Sequence, residues 1–155
     1  MIRIAKLTDY AIVLLTYFAR AEDQAHTARD VAARTRIPLP TVSKVLKALS
    51  RGGLLVSHRG VKGGYALARR PEEISVSSII AAIDGPIAMT ECSIHAPGLC
   101  ELETVCPVRS NWRRINDVVQ HALDGLTLVD MSIPLPPAGQ YASESPEKMM
   151  TRKTA

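Results

Sequence analysis

No lysine or arginine occurs between Arg70 and Arg109, in a chain of 155 residues that holds 19 of them against 15 aspartates and glutamates. That gap weakens the idea of a phosphate-binding or catalytic loop there, since both call for cationic side chains. Cysteine is equally sparse. The only three, Cys92, Cys100 and Cys106, all fall inside the cation-free interval, in "ECSIHAPGLCELETVCPVR". No run of about 18 apolar residues is present, so no membrane span is expected. The opening "MIRIAKLTDY" lacks the apolar stretch of a secretory leader, and the expected compartment is the cytoplasm. There an odd set of three thiols argues against a disulfide framework, leaving metal binding, redox sensing or inert burial. No internal repeat occurs. His26, His58, His95 and His121 lie in dissimilar contexts with no nucleophile–base or paired-carboxylate motif, so an enzyme is not expected.

What is present is a charge asymmetry. Residues 1–71 carry 13 Lys and Arg against 4 Asp and Glu, a net of +9, whereas residues 72–155 carry 6 against 11, a net of −5. A split of this size suits a first half that faces a polyanion, although a solvated basic surface would look the same.

The spacing of Ile4, Leu7, Ala11, Leu14, Leu15 and Phe18 predicts a helix, with Thr8 as its N-cap and Asp9 in its first turn. A short second helix is expected after Thr27, whose spacing to Asp30 resembles a capping box, with Val31 and Ala32 inward. "TRIPLP" interrupts, and a third helix is expected from Pro40 to Arg51. Val42, Val45, Leu46 and Leu49 form its buried stripe, while Pro40, Lys44, Lys47 and Arg51 face outward beside Thr41 and Ser43. Two short helices around a tight turn make a helix-turn-helix, over about residues 27–51. "LLVSHRGVKGGYALARRP" then predicts a hairpin over 54–69, with strands Leu54–Ser57 and Tyr65–Ala68. Gly60, Gly63 and Gly64 lie at its tip, and His58, Arg59, Lys62, Arg69 and Arg70 in the loop and its exits. A basic ribbon directly after a helix-turn-helix is a wing. The expected fold is therefore mainly α with a small β wing, a winged helix over residues 1–85.

A fourth helix is expected over Ser75–Asp84, closed by Gly85-Pro86, followed by an irregular cysteine-rich loop over 86–107. After Pro107 a long helix should run to about Gly125. Trp112, Ile115, Val119, Ala122 and Leu126 alternate spacings of three and four, which predicts a dimerisation seam in the segment 108–131; a monomer's core helix is the competing reading. Residues 132–155, rich in proline, serine and charge, are expected to be disordered.

"LTDYAIVLLTYFA", "IPLPTVSKVLKALSRGGLL", "RGVKGGYALARRPEEISV", "IIAAIDGP" and the cysteine triplet together resemble the winged-helix regulators typified by IscR and NsrR, over roughly residues 1–130. Among them the chain is most similar to those that control iron–sulfur cluster assembly of the SUF type. The resemblance implies a homodimeric transcription factor, a repressor, holding one cluster per protomer through Cys92, Cys100 and Cys106. Two features depart from the pattern. Seven residues separate Cys92 from Cys100 where five are usual, and Arg109 stands where IscR has a histidine ligand. The NsrR pattern supplies instead an aspartate from the partner subunit, which maps onto Asp9. A first-turn carboxylate ordinarily just supports its helix, and His95 or His121 are alternative ligands.

Thiolates suit such clusters, and Cys106, just before Pro107 at the expected helix start, is placed where a helix dipole favours the thiolate. The residues themselves leave open a Cys3His zinc site with His95, although the short C-x-x-C pairs of structural zinc are missing. A [2Fe-2S] and a [4Fe-4S] cluster are equally compatible. On DNA, the resemblance and the helix-turn-helix place Thr41, Ser43 and Lys44 nearest the bases, Lys47 and Arg51 near phosphates, and Arg59 and Lys62 on the wing, over a pseudo-palindromic operator. Other readings are a thiol-redox or zinc-stabilised regulator of the same fold and, in a different class, a protein-interaction module or cluster carrier. The +9 half argues against the last.

Overall fold

Leu14, Leu15, Val31, Val42, Val45, Leu46 and Leu49 recur at helical spacing in three successive stretches, and each is at most 1 % exposed. Their common burial is what folds the first half of the chain: each such side chain withdrawn from water contributes about 1.5–3 kcal/mol. The structure is a computed structural model that describes residues 3–21, 25–60, 63–94, 100–101 and 104–133. In order the elements are α1 (Lys6–Arg20), α2 (Ala28–Thr35), α3 (Leu39–Arg51), β1 (Leu55–His58), β2 (Gly64–Leu67), α4 (Val76–Asp84), α5 (Arg109–Asp124) and α6 (Leu128–Ser132). Short 3-10 turns occupy Pro71–Glu73 and Glu91–Ser93.

The helix ends follow local chemistry. Thr27 caps α2 in a reciprocal capping box with Asp30. Hydrogen bonding from the Thr27 hydroxyl holds the Asp30 carboxyl below its usual range. A depressed carboxylate contributes its stability above the ordinary carboxylate pKa, and that contribution is lost as pH falls through the folded value. Arg36 ends α2 in the left-handed region at φ 59°, and Pro38 with Pro40 starts α3 one residue earlier than Pro40 alone suggests. Ser75 caps α4, its hydroxyl accepting from the backbone N–H of Ser78 at 3.2 Å.

Thr8 departs from its expected role. α1 begins at Lys6, with Ala5 at the cap position, so Thr8 lies within the first turn and is fully buried. Its hydroxyl donates to Oδ2 of Asp84 at 2.5 Å, an intramolecular tie between α1 and the end of α4 rather than a cap.

The wing is an antiparallel pair, with Leu55 opposite Leu67 and His58 opposite Gly64. The strands are displaced by one residue from the expected ones, though the N–H of Ala68 still donates to the carbonyl of Leu54 at 3.0 Å. Gly63 and Gly64 are required by close approach. A β-carbon at Gly63 would stand 2.5 Å from the His58 carbonyl oxygen, and one at Gly64 2.6 Å from that of His26. His26 adds a third rung, exchanging backbone hydrogen bonds with Tyr65 at 2.9 and 2.8 Å, and so ties the wing to the chain just before α2.

The C-terminal elements return to this core. α6 was not expected from the sequence. Thr127 and Asp130 form a second capping box, Leu128 is fully buried within the α1–α3 core, and Arg20 donates to the carbonyl of Ser132 at 2.8 Å. Residues from 134 onward, which carry the expected disordered tail, lie outside the described residues.

Replacing Leu46 with alanine should destabilise the fold by about 2–5 kcal/mol, the usual range for emptying a fully buried leucine site. Chemical denaturation of wild type and Leu46→Ala at one fixed protein concentration measures it.

Candidate nucleic-acid interface and candidate metal centre

The buried stripe of α3 turns the rest of that helix outward. Pro40, Lys44, Lys47 and Arg51 are exposed and lie along one line, while Thr41 and Ser43 flank it half-buried. Because β1 follows directly, the wing lies beside this face. Lys44, Lys47, Ser50, Arg51, Ser57 and Tyr65 together line a groove of about 380 Å³ between α3 and the hairpin. Arg59 is exposed at the wing tip, where Gly60 adopts φ 110°. Lys62 lies outside the described residues. Three cations with serine and tyrosine hydroxyls in one groove suit a phosphate backbone, which is bound by charge and by hydroxyl and amide donors. Ser50, Ser57 and Tyr65 were not expected in this site. The signal for Ser57 and Tyr65 was their strand position, since directly opposed residues of paired strands share a face. For Ser50 it was its place one residue before Arg51, at the margin of the outward stripe.

The cysteine segment behaves differently from a plain loop. Cys92 is nearly buried on the 3-10 turn, its Sγ 3.2 Å from the hydroxyl of Thr90. It lines a cavity of about 160 Å³ with Ser93, Ile94, Arg113, Asn116 and Asp117, so the turn rests on α5. Cys100 and Cys106 are half-buried, and all three thiols are free. Cys106 stands ahead of Val108, the N-cap of α5, rather than at the first turn. Among the described residues no three of histidine, cysteine, aspartate and glutamate converge on a metal-sized position. His95 lies outside the described residues, and His121 is exposed, its Nδ1 2.7 Å from the carbonyl oxygen of Asp117. Asp9 is exposed on α1 and joins none of the thiols in its own chain. As a donor set, three free thiols in a stretch without cationic side chains fit a soft, thiolate-bound metal group.

α5 has its polar and apolar sides reversed relative to an ordinary surface helix. Asn116 is 4 % exposed, and its side-chain oxygen accepts from the N–H of Met89 at 3.0 Å. Asp124 accepts from the hydroxyl of Ser77. The polar side thus packs on the helix's own chain. Trp112, Ile115 and Ala122 are exposed and Val119 is half-buried, with Ile115 44 % and Trp112 37 % accessible. Trp112, Ile115 and Ala122 thus lie outside the buried core of their own chain. Leu126, expected as the seam's last member, lies beyond the Gly125 cap and is half-buried, its carbonyl accepting from the N–H of Val76 at 2.9 Å.

No helix among the described residues is long and apolar enough to cross a membrane. Comparison with known proteins matches residues 4–133 to the Rrf2 family, described as an iron-dependent transcriptional regulator. The chain is 30 % identical over 132 residues to the HTH-type transcriptional regulator IscR of Aliivibrio salmonicida, covering 83 % of this chain and 77 % of that one. It is 28 % identical over 130 residues to the HTH-type transcriptional regulator NsrR of Halalkalibacterium halodurans, covering 83 % and 89 %. Among solved structures, CymR, the global cysteine regulator of B. subtilis, superposes with a TM-score of 0.65 at 26 % identity, covering 85 % of this chain and 97 % of that one. The IscR of T. potens shares the fold, with a TM-score of 0.62 at 24 % identity over 84 % and 85 %. These relatives are transcriptional regulators and not enzymes, and this chain, with its winged helix and basic α3, belongs to the Rrf2 family of DNA-binding transcriptional regulators.

Proposed function

We propose that this protein is a homodimeric repressor that senses an iron–sulfur cluster, through its redox state or nitric oxide, and controls genes for iron–sulfur cluster assembly of the SUF type. The observation that carries the reading is the packing of the cysteine segment. All the chain's thiols are free and lie in one cation-free stretch whose first member, Cys92, rests on α5, and α5 leaves Trp112, Ile115 and Ala122 of its apolar side exposed. A second copy is the occupant suited to that side, since two such stripes bury each other in a symmetric contact.

Cys92, Cys100 and Cys106 would hold the cluster, with Asp9 of the partner subunit as the fourth donor. When bound, the cluster supplies an oxidisable centre that reacts with nitric oxide. A carboxylate oxygen is a harder donor than a thiolate and is given up more readily. Asp9 sits on α1, and α1 packs on both α3 and α4, so a change in what Asp9 touches reaches the helix that reads DNA. On the operator, α3 lies in the major groove with Thr41, Ser43 and Lys44 nearest the bases. Lys47 and Arg51 contact phosphates, Arg59 of the wing reaches the minor groove, and Lys62 is a further DNA-binding residue. Work on the chromosome places the protein in the cytoplasm.

Three measurements test this. Protein purified without oxygen and reconstituted with iron and sulfide should show charge-transfer absorption with equal iron and sulfide. A colourless product with stoichiometric zinc would replace the sensing mechanism with a structural metal site. Replacing Lys47 with alanine should weaken binding to every duplex and flatten the salt dependence by about one unit of slope, read from titrations at several salt concentrations. Ile115→Lys, which places a charge in the middle of the exposed stripe, should convert a dimer to monomer in sedimentation without loss of helicity. Unchanged sedimentation would remove α5 from the interface.

A further inference from the structure

Asp84 is the last residue of α4, and nothing in that helix explains it. A carboxylate at a helix C-terminus opposes the helix dipole. Its sole hydrogen-bond partner among the described residues is the hydroxyl of Thr8, 2.5 Å away across 76 residues of sequence; Thr8 is fully buried, whereas Asp84 itself is exposed. Both neighbours in sequence matter. Asp9, next to Thr8, is exposed on α1. Gly85, next to Asp84, adopts φ 89°, a conformation that other residues take with strain, and Pro86 follows. Gly85 and Pro86 fix the direction in which the chain leaves α4 towards the cysteine segment. That segment is then pinned to α5 where Met89 donates to Asn116, three residues before Cys92. Beside the apolar packing of α1 on α4, this hydrogen bond therefore ties the root of the cysteine segment to the turn of α1 that carries Asp9.

We infer that Thr8 and Asp84 are a pair of positioning residues: their hydrogen bond sets the register between the cysteine segment and α1, and through α1 couples occupancy of the thiol site to operator binding. The inference rests on the cluster reading above. If Asp9 serves the partner's site, the same bond also links the two sites of a dimer. One protomer's cysteine segment is tied, through Asp84 and Thr8, to the carboxylate that it lends to the other. A hydroxyl–carboxylate bond is suited to this work, being short, directional and stronger than a neutral pair. Thr8 needs no access to solvent for it, which accounts for a polar side chain buried in the first turn of an otherwise apolar face.

The test uses the full chain, with and without reconstituted cluster, on a duplex selected from a random pool by the wild-type protein. Thr8→Val keeps the shape and removes the donor. Asp84→Ala removes the acceptor at an exposed position, where the fold tolerates it. Thr8→Ser restores the hydroxyl. In a coupled two-site protein the affinities with and without the effector differ by about 5- to 150-fold. Thr8→Val and Asp84→Ala should bring this ratio to within about twofold of unity while leaving the cluster-free affinity near wild type, and Thr8→Ser should recover the wild-type ratio. A bond that merely packs α1 on α4 would lower the melting temperature and leave the ratio unchanged, and that result in either variant overturns the inference. Should wild type itself take up no iron and sulfide, the cluster reading fails first, visibly and independently of any variant, and the inference falls with it.

Discussion

The constraint on which the second half of the molecule depends is the orientation of α5. A surface helix ordinarily turns its apolar side to its own core. Here the core of α1–α4 with α6 is already filled, by Leu14, Leu15, Leu46, Leu49, Ile74, Ile79 and Leu128 among others. α5 docks by hydrogen bonds instead: Asn116 to the backbone at Met89 at mid-helix, and Asp124 to Ser77 at the start of α4 at its C-terminal end. Two polar attachments fix the helix while leaving Trp112, Ile115 and Ala122 outside. A helix with that much apolar surface in water is unfinished, and the proposed second copy completes it. The same docking creates the floor under Cys92, so the thiol site and the uncovered face are two consequences of one packing choice.

At the other end, the DNA-facing surface depends on backbone proximity. Gly64 lets the β2 backbone pass against His26, and the His26–Tyr65 rungs keep the wing from swinging away from the helices. The groove between α3 and the hairpin is thereby given fixed walls, with Lys44, Lys47 and Arg51 on one and Ser57 and Tyr65 on the other. A charged groove of fixed width suits a phosphate chain better than the same charges on mobile loops, because less ordering is needed on binding.

Much of this was legible in the sequence because it is local. The stripe Val42, Val45, Leu46, Leu49 reads directly as a buried helix face, and Thr27 with Asp30 reads as a cap, since each depends only on residues within a few positions. Ser75–Thr127, His26–Tyr65 and Thr8–Asp84 were illegible for the opposite reason: each joins residues far apart in the chain. Thr8 is the instructive case. A threonine just ahead of an apolar run is the ordinary signature of an N-cap, but a buried carboxylate-bonded hydroxyl gives the same one-residue signal. α6 was missed because five residues carry too little periodicity to count, and the spacing of Thr127 and Asp130 has no apolar run after it to mark it as a cap. For the thiols, number and neighbourhood are legible in the sequence, but convergence is not. The proposed fourth donor belongs to another chain, and within one chain no metal-sized cluster forms among the described residues.

α1 is where these threads meet. It packs on α2 and α3 of the helix-turn-helix, on α4, which leads to the cysteine segment, and on α6, which follows α5. Its inner face is apolar except for Thr8, and its outer face carries Asp9. Small movements of a helix packed on so many others cannot be absorbed locally, because close-packed interiors transmit displacement rather than dissipate it. On the proposed cluster reading, a signal at the thiols would have two physical routes to α3: through the root of the cysteine segment at Asp84, or through whatever contacts Asp9 from outside. Both routes enter α1 within one turn, at the adjacent residues Thr8 and Asp9, and on that reading the adjacency would let a site remote from DNA act on α3.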